Sequence, residues 1–524
     1  MYQTANNSPV WRVTLANLEE TRDFARVLSE ELKAGDTIAL SGGLGAGKTA
    51  LARFLIQALV KDAELEVPSP TFTLIQNYEG YARHEPCPIV HADFYRLGNE
   101  DELVELGWEE QVEGAVVLIE WAERAPSALP ASYLNITMEL DFTDSNKRLA
   151  IVTATGDMIP RLERLEATQS ILRKSGWNDA RRVTMQGDAS SRLYERLVRP
   201  NGETSILMIS PARPDGPPIR RGKSYSTIAK LAENINAFVA MDRGLRALGF
   251  SAPKIYGEDL EAGLLVIEDL GSEPVVDGNG PIPERYAEAT TLLSRLHSTV
   301  LPQVLPVADG VDHILPPYDM EALLIEVDLL LEWYVPHIAN RMLSSPAKFE
   351  FANLWAATLK EITEATPTWT LRDFHSPNLI WLPEREGVKR LGVIDFQDAV
   401  LGHPSYDVAS LLQDARVDVA PDLELKLLGH YIRERRALDE TFDMASFARA
   451  YAIMGAQRAT KILGIFARLD KRDHKPQYLN HLPRIENYLR RNLAHPALAQ
   501  LKEWFDAYLP HLSKTQNTQN NDEA

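Results

Sequence analysis

Ser41-Gly-Gly-Leu-Gly-Ala-Gly-Lys-Thr49 is the stretch that determines how the first part of this sequence folds. It matches the phosphate-binding pattern G-x-x-x-x-G-K-[ST], with Gly42, Gly47, Lys48 and Thr49 at the fixed positions. Glycines are needed because the loop turns its backbone N–H groups toward a phosphate, where a Cβ would block the approach. The pattern predicts that Lys48 contacts the β- and γ-phosphates of a nucleotide and that the Thr49 hydroxyl holds Mg²⁺.

The sequences on both sides of this loop also favour a nucleotide site. Asp36–Leu40 is typical of a short buried strand. After the loop, apolar residues recur at the spacing of one helical face: Leu51, Phe54, Leu55, Ala58 and Leu59. Strand, glycine loop and helix in this order bring a helix N-terminus to the bound anion. The alternative is a glycine-rich turn between a strand and a helix.

Length and composition limit the classes of protein to which this chain can belong. The length of 524 residues suggests about three units of domain size. A net charge of −19 argues against broad non-specific binding of nucleic acid, which needs a basic surface. Cys87 is the only cysteine, so an intrachain disulfide and a thiolate metal cluster are excluded. No apolar run approaches the ~18 residues that span a bilayer and the first residues lack a signal sequence, so we expect a cytoplasmic protein without membrane contact.

Two further apolar runs in the first part of the chain each end in a carboxylate, at Asp93 and at Glu120. Ligands of open α/β sheets bind at the carboxyl ends of the strands, so both acids are candidates for Mg²⁺ or the attacking water. The alternative is that they are surface acids. The proline-rich segment Val67–Leu74 offers Thr71 or Thr73 as a sensor of the γ-phosphate, or is a plain loop into a strand.

Four blocks in the first 150 residues resemble the TsaE (YjeE) family of P-loop ATPases: Gly42–Thr49, Ser69–Thr73, His91–Leu97 and Ile119–Glu123. Ala122 stands where that family often has proline. The resemblance implies ATP hydrolysis that resets a complex with TsaD- and TsaB-like subunits in the synthesis of tRNA threonylcarbamoyladenosine. It implies contact with tRNA only indirectly, through those partners.

The resemblance also implies roles for individual residues. The ATP-binding set is Gly42, Gly43, Leu44, Gly45, Ala46, Gly47, Lys48 and Thr49. Lys48 is a catalytic candidate, and Thr49 and Glu120 are the Mg²⁺ ligands. Asp93 is the candidate for positioning water or metal, and Trp121 is expected to cover the nucleotide region.

A second set of catalytic residues lies far downstream. In Leu371–Asn378, Asn378 follows Asp373 by five residues, and Asp395 ends the next apolar run. Phosphoryl transfer needs one carboxylate for the substrate hydroxyl, and an amide with a second carboxylate for Mg²⁺. The spacing matches the catalytic loop H-R-D-x-x-x-x-N, and Asp395 takes the place of the metal-binding Asp of D-F-G. An Asx-rich loop, the alternative, leaves the second acid unexplained.

Residues from about 170 to 510 resemble the aminoglycoside phosphotransferase and choline kinase superfamily and, within it, the cell-wall sugar kinases of the N-acetylmuramate/N-acetylglucosamine 1-kinase type (AmgK). The resemblance rests on four blocks: Gly187–Tyr194, Glu268–Gly271, Leu371–Asn378 and Ile394–Ala399. It implies Asp373 as catalytic base, Asn378 and Asp395 as Mg²⁺ ligands, and the hinge backbone from Glu268 to Leu270 as the adenine contact. The implied acceptor is the anomeric hydroxyl of an amino sugar.

The second part departs from this pattern at several positions. Leu371 stands where many relatives have histidine, and Arg372 where many have glycine. Met208 occupies the strand in which kinases carry the lysine that pairs with the phosphates, so Arg192 or Lys223 is the candidate replacement. Two alternatives therefore stay open: a pseudokinase that only binds nucleotide, and an aminoglycoside- or choline-type phosphotransferase.

These patterns predict a bifunctional α/β protein that uses ATP and Mg²⁺ at two sites. We expect an N-terminal P-loop NTPase sheet domain over residues 1–160. A C-terminal two-lobed, protein-kinase-like α+β domain of the aminoglycoside phosphotransferase type is expected over residues 161–512. The polar residues 513–524 are expected to be disordered.

Overall fold

The computed structural model describes residues 9–83, 85–185, 192–212 and 215–514. The chain forms two compact units, Met1–Arg173 and Lys174–Ala524. The predicted domain boundary near residue 160 falls at the start of a helix, Ile159–Lys174, in which Leu162 and Leu165 belong to the core of the first unit. Residues 186–191 of the predicted hairpin and residues 515–524 of the predicted tail lie outside the described residues.

The first unit is built on a seven-stranded mixed sheet with the strand order β1-β7-β6-β2-β5-β4-β3. The strands are β1 (Val10–Leu15), β2 (Thr37–Ser41), β3 (Ile75–Ala82), β4 (Glu85–Asp93), β5 (Val116–Glu120), β6 (Leu134–Leu140) and β7 (Arg148–Ala154). The central pairs, β2 with β5, β2 with β6 and β4 with β5, are parallel, and the outer pairs are antiparallel. Parallel pairing brings the carboxyl ends of the central strands to one edge.

The helices of this unit are α1 (Leu18–Glu31), α2 (Lys48–Val60), α3 (Asp101–Glu105), α4 (Trp108–Val112) and α5 (Ile159–Lys174). The Asn17 side chain caps α1 by accepting a hydrogen bond from the Glu20 backbone N–H. Helix α2 begins directly after the glycine loop and buries the predicted face, including Leu51 and Leu55. The loop is therefore held between a buried strand and a buried helix.

The second unit begins with a small lobe around a five-stranded antiparallel sheet of order β11-β12-β10-β9-β8. Its elements are β8 (Arg181–Met185), β9 (Leu193–Val198), β10 (Thr204–Ile209), α6 (Tyr225–Ile228), α7 (Asn236–Ala247), β11 (Ile255–Asp259) and β12 (Leu264–Glu268). Phe238 of α7 stacks on Phe396, next to Asp395, with ring centroids 4.9 Å apart. This contact joins the small lobe to the segment that carries the predicted metal ligand.

The larger lobe is mainly helical and carries four short two-stranded sheets. The strands pair as β13 (Val276–Asp277) with β14 (Gly280–Pro281), β15 (Val304–Ala308) with β16 (Val311–Ile314), β17 (Thr368–Thr370) with β20 (Val400–Gly402), and β18 (Leu379–Trp381) with β19 (Leu391–Val393). The helices are α8 (Pro283–Ser298), α9 (Met320–Leu329), α10 (Val335–His337), α11 (Ser345–Glu364), α12 (Ser405–Leu412), α13 (Pro421–Leu438), α14 (Met444–Asp473), α15 (Leu482–Leu493) and α16 (Ala499–Tyr508). Within the described ranges, no helix has the length and apolar character needed to cross a membrane.

Candidate active sites

The glycine loop between β2 and α2 has a backbone that only glycine accommodates. Gly42 has φ +128°, and a Cβ built on it would lie 2.3 Å from the carbonyl oxygen of Met138. Gly47, which precedes α2, has φ +105°. Both angles lie in the left-handed region that L side chains rarely adopt. The loop backbone is thus turned as a phosphate site requires, and the residues present fit a nucleotide.

Lys48 lies across this loop. Its Nζ donates hydrogen bonds to the carbonyl oxygens of Gly42 at 2.8 Å and Gly43 at 3.0 Å. The same atom lies 3.7 Å from the centroid of the Trp121 ring, a cation–π contact. Burial lowers the pKa of Lys48, and the nearby carboxylates, Glu120 first among them, oppose this shift. Trp121 therefore lies over the Lys48 ammonium, and its role in covering the nucleotide region stays a prediction.

Thr49, Glu120 and His91 form a connected group beside the loop, in which Glu120 and His91 are buried. The Thr49 hydroxyl donates to Glu120 Oε2 at 2.7 Å, and Glu120 Oε1 lies 3.0 Å from His91 Nε2. His91 is fully buried and Glu120 is 2% exposed, so the carboxylate has little rotational freedom. A hydroxyl and one carboxylate are oxygen donors of the kind Mg²⁺ uses together with phosphate oxygens and water.

Asp93 lies at the end of β4, opposite Glu120 of β5 in the strand register. Its Oδ2 accepts hydrogen bonds from the hydroxyls of Ser69 at 2.9 Å and Thr71 at 2.5 Å. Its Oδ1 accepts from the Tyr95 backbone N–H at 2.9 Å. The carboxylate therefore ties the proline-rich segment to the edge of the sheet where the loop lies.

The three predicted residues of the second site also lie together. Asn378 Nδ2 donates to the backbone oxygen of Asp373 at 2.9 Å and lies 3.4 Å from Asp395 Oδ2. Gln397 Nε2 and Arg192 Nη1 both contact Asp395 Oδ1, at 2.8 and 3.1 Å. The side chains of Asn378 and Asp395 thus lie in contact, and an amide oxygen and a carboxylate are ligands of the kind that a magnesium ion uses together with phosphate oxygens.

The two carboxylates of this site have pKa shifts of opposite sign. Burial raises the pKa of Asp395, the charge of Asp373 raises it further, and Arg192 opposes the shift. For Asp373, burial acts to raise the pKa, but electrostatic interactions, with His375 first and then with Lys461, lower the pKa overall. Asp373 is thereby kept ionised, as an acceptor of a proton from a hydroxyl needs to be.

Buried acids hold the loop that carries Asp373. Asp407 on α12 accepts hydrogen bonds from the backbone N–H groups of Leu371 at 2.7 Å and Arg372 at 2.9 Å. Asp414 accepts from the Ser376 N–H at 2.8 Å. These bonds fix the loop before and after Asp373, so the base has one backbone position.

Arg372 ties the same loop to the helical lobe. Its backbone has φ +66°, and its guanidinium donates to Glu326 Oε1 at 2.5 Å and to the Ala229 carbonyl at 2.9 Å. Glu326 also accepts from Lys461 Nζ at 2.8 Å and from the Tyr318 hydroxyl at 2.5 Å. At this position, where many relatives have glycine, the chain thus has an arginine that forms a buried ion pair with Glu326.

A cavity of about 960 Å³ connects the parts of the second site. Its lining includes the hinge residues Glu268 and Leu270, the catalytic-loop residues Asp373 and Asn378, and Asp395. The Glu268 backbone N–H donates to the Lys254 carbonyl at 2.8 Å, and its carboxylate pairs with Arg385. The volume lies in the range of cavities that bind cofactors and small substrates.

Comparison with known proteins finds relatives for each of the two parts of the chain. The family described as Threonylcarbamoyl adenosine biosynthesis protein TsaE matches residues 15–149, and the Phosphotransferase enzyme family matches residues 183–441. N-acetylmuramate/N-acetylglucosamine kinase of Caulobacter vibrioides is 40% identical over 361 residues, covering 66% of this chain and 97% of the relative. The tRNA threonylcarbamoyladenosine biosynthesis protein TsaE of Rickettsia felis is 35% identical over 154 residues, covering 29% of this chain and 86% of the relative.

The chain belongs to the TsaE family in its first part and to the phosphotransferase enzyme family in its second. The predicted fold class is confirmed, and the chain is bifunctional, with an ATPase domain and a phosphotransferase domain. ATP is the substrate that the two families share.

The kinase domain has no lysine on β10, where Met208 is 1% exposed in the core. Of the two candidate replacements, Arg192 lines the cavity and contacts Asp395. Lys223 Nζ pairs instead with Glu321 at 3.3 Å.

The TsaE domain contains one contact to the glycine loop that sequence reasoning missed. Arg148 of β7 donates from Nε to the Ala46 carbonyl at 3.0 Å. It lies 102 residues from its partner in sequence, and no local pattern marks it.

Proposed function

We propose that the TsaE domain hydrolyses ATP as a subunit of the tRNA threonylcarbamoyladenosine machinery, together with TsaD- and TsaB-like proteins. We further propose that the kinase domain phosphorylates the anomeric hydroxyl of N-acetylmuramate and N-acetylglucosamine. The single observation that carries the second proposal is the cavity shared by the hinge, Asp373, Asn378 and Asp395. The named activities of the relatives from Caulobacter and Rickettsia supply the substrate classes.

In the kinase reaction, the sugar oxygen attacks the γ-phosphorus while Asp373 accepts the hydroxyl proton. A new O–P bond forms, the bond to the β,γ-bridging oxygen breaks, and ADP leaves. Asn378 and Asp395 would hold Mg²⁺, which neutralises phosphate charge when bound. Arg192 supplies the cation beside Asp395 that the strand lysine supplies in other kinases.

In the TsaE domain, Lys48 exchanges its bonds to loop carbonyls for bonds to phosphate oxygens. Thr49 and Glu120 would hold Mg²⁺, and His91 keeps Glu120 oriented toward Thr49. Asp93 holds Ser69 and Thr71, so the proline-rich segment is linked to the state of the phosphate site.

One pair of variants of the full chain tests both proposals, and each variant is the matched control for the other. Asp373→Asn is expected to lower sugar phosphorylation by about 10²–10⁴-fold, since it removes the base but preserves the shape. Lys48→Ala is expected to abolish support of tRNA threonylcarbamoylation when it is the sole copy in the cell. The readouts are sugar 1-phosphate by ³¹P NMR and the modified nucleoside by mass spectrometry.

The outcomes separate the alternatives. Bound ATP without transfer to either sugar favours the nucleotide-binding pseudokinase, and transfer to an aminoglycoside favours the antibiotic-type enzyme. Unchanged tRNA modification in the Lys48→Ala strain contradicts the role of the TsaE domain.

A further inference from the structure

Residues 219–233 of the kinase domain, called the strap below, connect strand β10 to helix α7 of the small lobe but pack on the larger lobe. Ile228 and Ala229 are fully buried, and they form a small hydrophobic cluster with Ile325 of α9. Exclusion of these side chains from water favours the packed position of the strap. The strap therefore belongs to the packed structure of the larger lobe, although its two ends lead into the small lobe.

Opposite charges also pair the strap with α9. Three basic residues of the strap face three acidic residues of α9 or of its N-cap: Arg220 with Asp328 at 2.7 Å, Lys223 with Glu321 at 3.3 Å, and Lys230 with Asp319 at 3.1 Å. Each of these part-exposed pairs contributes only about 0–1 kcal/mol. Together the matched charges along one helix specify the register in which the strap lies on α9.

Arg372 joins the strap to the loop that carries the catalytic base. The residue is buried, and Asp373 follows it directly in the chain. Its Nη1 donates to the Ala229 carbonyl at 2.9 Å and lies 3.4 Å from the Lys230 carbonyl oxygen. Its Nη2 donates to Glu326 Oε1 of α9 at 2.5 Å. Because the donors of a guanidinium point in fixed directions within one plane, this side chain fixes the strap, α9 and the base relative to one another.

The last residues of the strap reach the cavity beside the base. Leu231 and Ala232 line the same cavity as Asp373. The Ala232 backbone N–H donates to Asp398 Oδ1 at 2.6 Å, in the segment that follows Asp395. The strap thus meets both the catalytic loop and the segment after the predicted metal ligand. The attacking hydroxyl must bind near this point, because its oxygen has to lie within hydrogen-bond distance of the base.

We propose that the strap forms the wall against which the sugar acceptor binds, and that Arg372 is a positioning residue that holds this wall in a fixed relation to Asp373. The inference rests on the proposed sugar kinase function and names the element that orients its acceptor. Phosphoryl transfer requires the attacking oxygen at about 3–3.5 Å from the phosphorus and in the correct alignment. A wall that is joined to the base through one buried side chain meets this requirement before the sugar binds.

Arg372 also acts on Asp373 through its charge. Burial acts to raise the pKa of Asp373, and the Arg372 charge is one of several electrostatic interactions that lower it. Arg372→Lys separates charge from positioning. It keeps the positive charge but replaces the planar guanidinium with an ammonium that cannot serve both Glu326 and the Ala229 carbonyl.

The first measurement determines kcat, KM for N-acetylglucosamine and KM for ATP in the sugar kinase reaction of the full chain. Arg372→Lys is expected to lower kcat/KM for the sugar by about 10- to 100-fold, the loss of a hydrogen bond from a charged group. KM for ATP is expected to stay at the wild-type value, since the strap is assigned to the acceptor.

Arg220→Asp tests the strap without a change in the buried network. It places two carboxylates where Arg220 and Asp328 pair, and their repulsion is expected to raise KM for the sugar by about 3- to 10-fold. The double variant Arg220→Asp with Asp328→Arg restores opposite charges and is expected to recover the wild-type KM. Arg449→Asp is the matched control, because Arg449 forms an exposed pair with Glu361 between two other helices of the larger lobe.

Hydrogen exchange followed by mass spectrometry reports on the strap directly. Exchange in residues 225–233 is expected to rise in Arg372→Lys and in Arg220→Asp, and to stay at the wild-type level in Arg449→Asp. In the wild-type chain, N-acetylglucosamine added with a non-hydrolysable ATP analogue is expected to slow exchange in the same residues, compared with the analogue alone.

The role of the strap is overturned if KM for the sugar stays at the wild-type value in Arg220→Asp, or if the sugar leaves exchange in residues 225–233 unchanged. Wild-type kinetics in Arg372→Lys show that only the charge matters and overturn the positioning role. Equal losses for sugar and ATP mean that the strap supports the fold and does not form the acceptor wall. Turnover of neither sugar by the wild-type chain contradicts the proposed kinase function and this inference with it.

Discussion

The two nucleotide sites of this chain hold their catalytic groups in different ways. In the TsaE domain the loop backbone forms the phosphate site, and Gly42 to Thr49 are contiguous in sequence. In the kinase domain the loop near Asp373 is held by buried side chains from distant elements: Asp407 accepts from its backbone, and Glu326 accepts from the Arg372 side chain. A backbone site is expected to fail when a Cβ is added, and a side-chain scaffold when a buried charge is removed.

The largest expected effect is on the buried scaffold. Glu326→Gln leaves Arg372 and Lys461 without their shared carboxylate and is expected to destabilise the kinase domain by about 3–5 kcal/mol. Denaturant unfolding with a probe of the kinase domain measures this change. The control is Glu361→Gln, which removes the exposed pair with Arg449 and is expected to cost about 0.2–1 kcal/mol. Equal losses in the two variants would show that the buried network does not support the loop.

The next effect concerns the backbone site. Gly42→Ala puts a Cβ 2.3 Å from the Met138 carbonyl oxygen and is expected to weaken ATP binding to the TsaE domain by about 100-fold through backbone strain. Gly45→Ala is the comparison, because its Cβ would meet no described atom within 4 Å and only its φ of +76° is strained. Binding of a fluorescent ATP analogue is measured on chains that also carry Asp373→Asn. The binding to the kinase domain is subtracted, which leaves the affinity of the TsaE domain. Equal affinities for the two alanine variants would contradict the steric account.

The smallest effect is a pH dependence in the small lobe of the kinase domain. Asp242 of α7 is 1% exposed, and burial raises its pKa from 3.8 to about 7. The folded state therefore binds this proton more tightly than the unfolded state. The stabilising contribution of the protonated Asp242 carboxyl is complete below pH 3.8 and is lost as pH rises through about 7.

The measurement compares wild type with Asp242→Asn, which removes the titration. Between pH 5 and pH 8 the free energy of unfolding of wild type is expected to fall relative to the variant by about 2 kcal/mol. Parallel curves for the two proteins over this range would contradict the raised pKa.

Sequence patterns predicted the site residues that lie within a single loop. Gly42 to Thr49 and the pair Asp373 and Asn378 lie within short segments, and their chemistry demands fixed residue types. Glu120 and Asp93 were reachable because strands end where ligands bind, and the register places them opposite each other. The family resemblances to TsaE and to the phosphotransferases are confirmed by the comparisons.

Sequence patterns did not predict the residues that support the sites through contacts between distant parts of the chain. Arg148 holds the glycine loop, Asp407 and Asp414 hold the catalytic loop, and Arg416 lies next to His375. In sequence each of these is an ordinary polar residue on a strand or near a helix end. The sequence left Arg192 and Lys223 as two candidates for the missing lysine, and only the fold brings Arg192 to Asp395.

The sequence by itself determined that this chain has two phosphate-handling sites of unrelated design, because glycine loops and Asp/Asn spacings carry their chemistry locally. Tertiary structure alone decided which ionisable groups meet: Glu326 with Arg372 and Lys461, and Arg416 with His375. The physical reason is that electrostatic contacts depend on distance and burial in three dimensions, and these arise only when packed helices and strands bring residues far apart in sequence together.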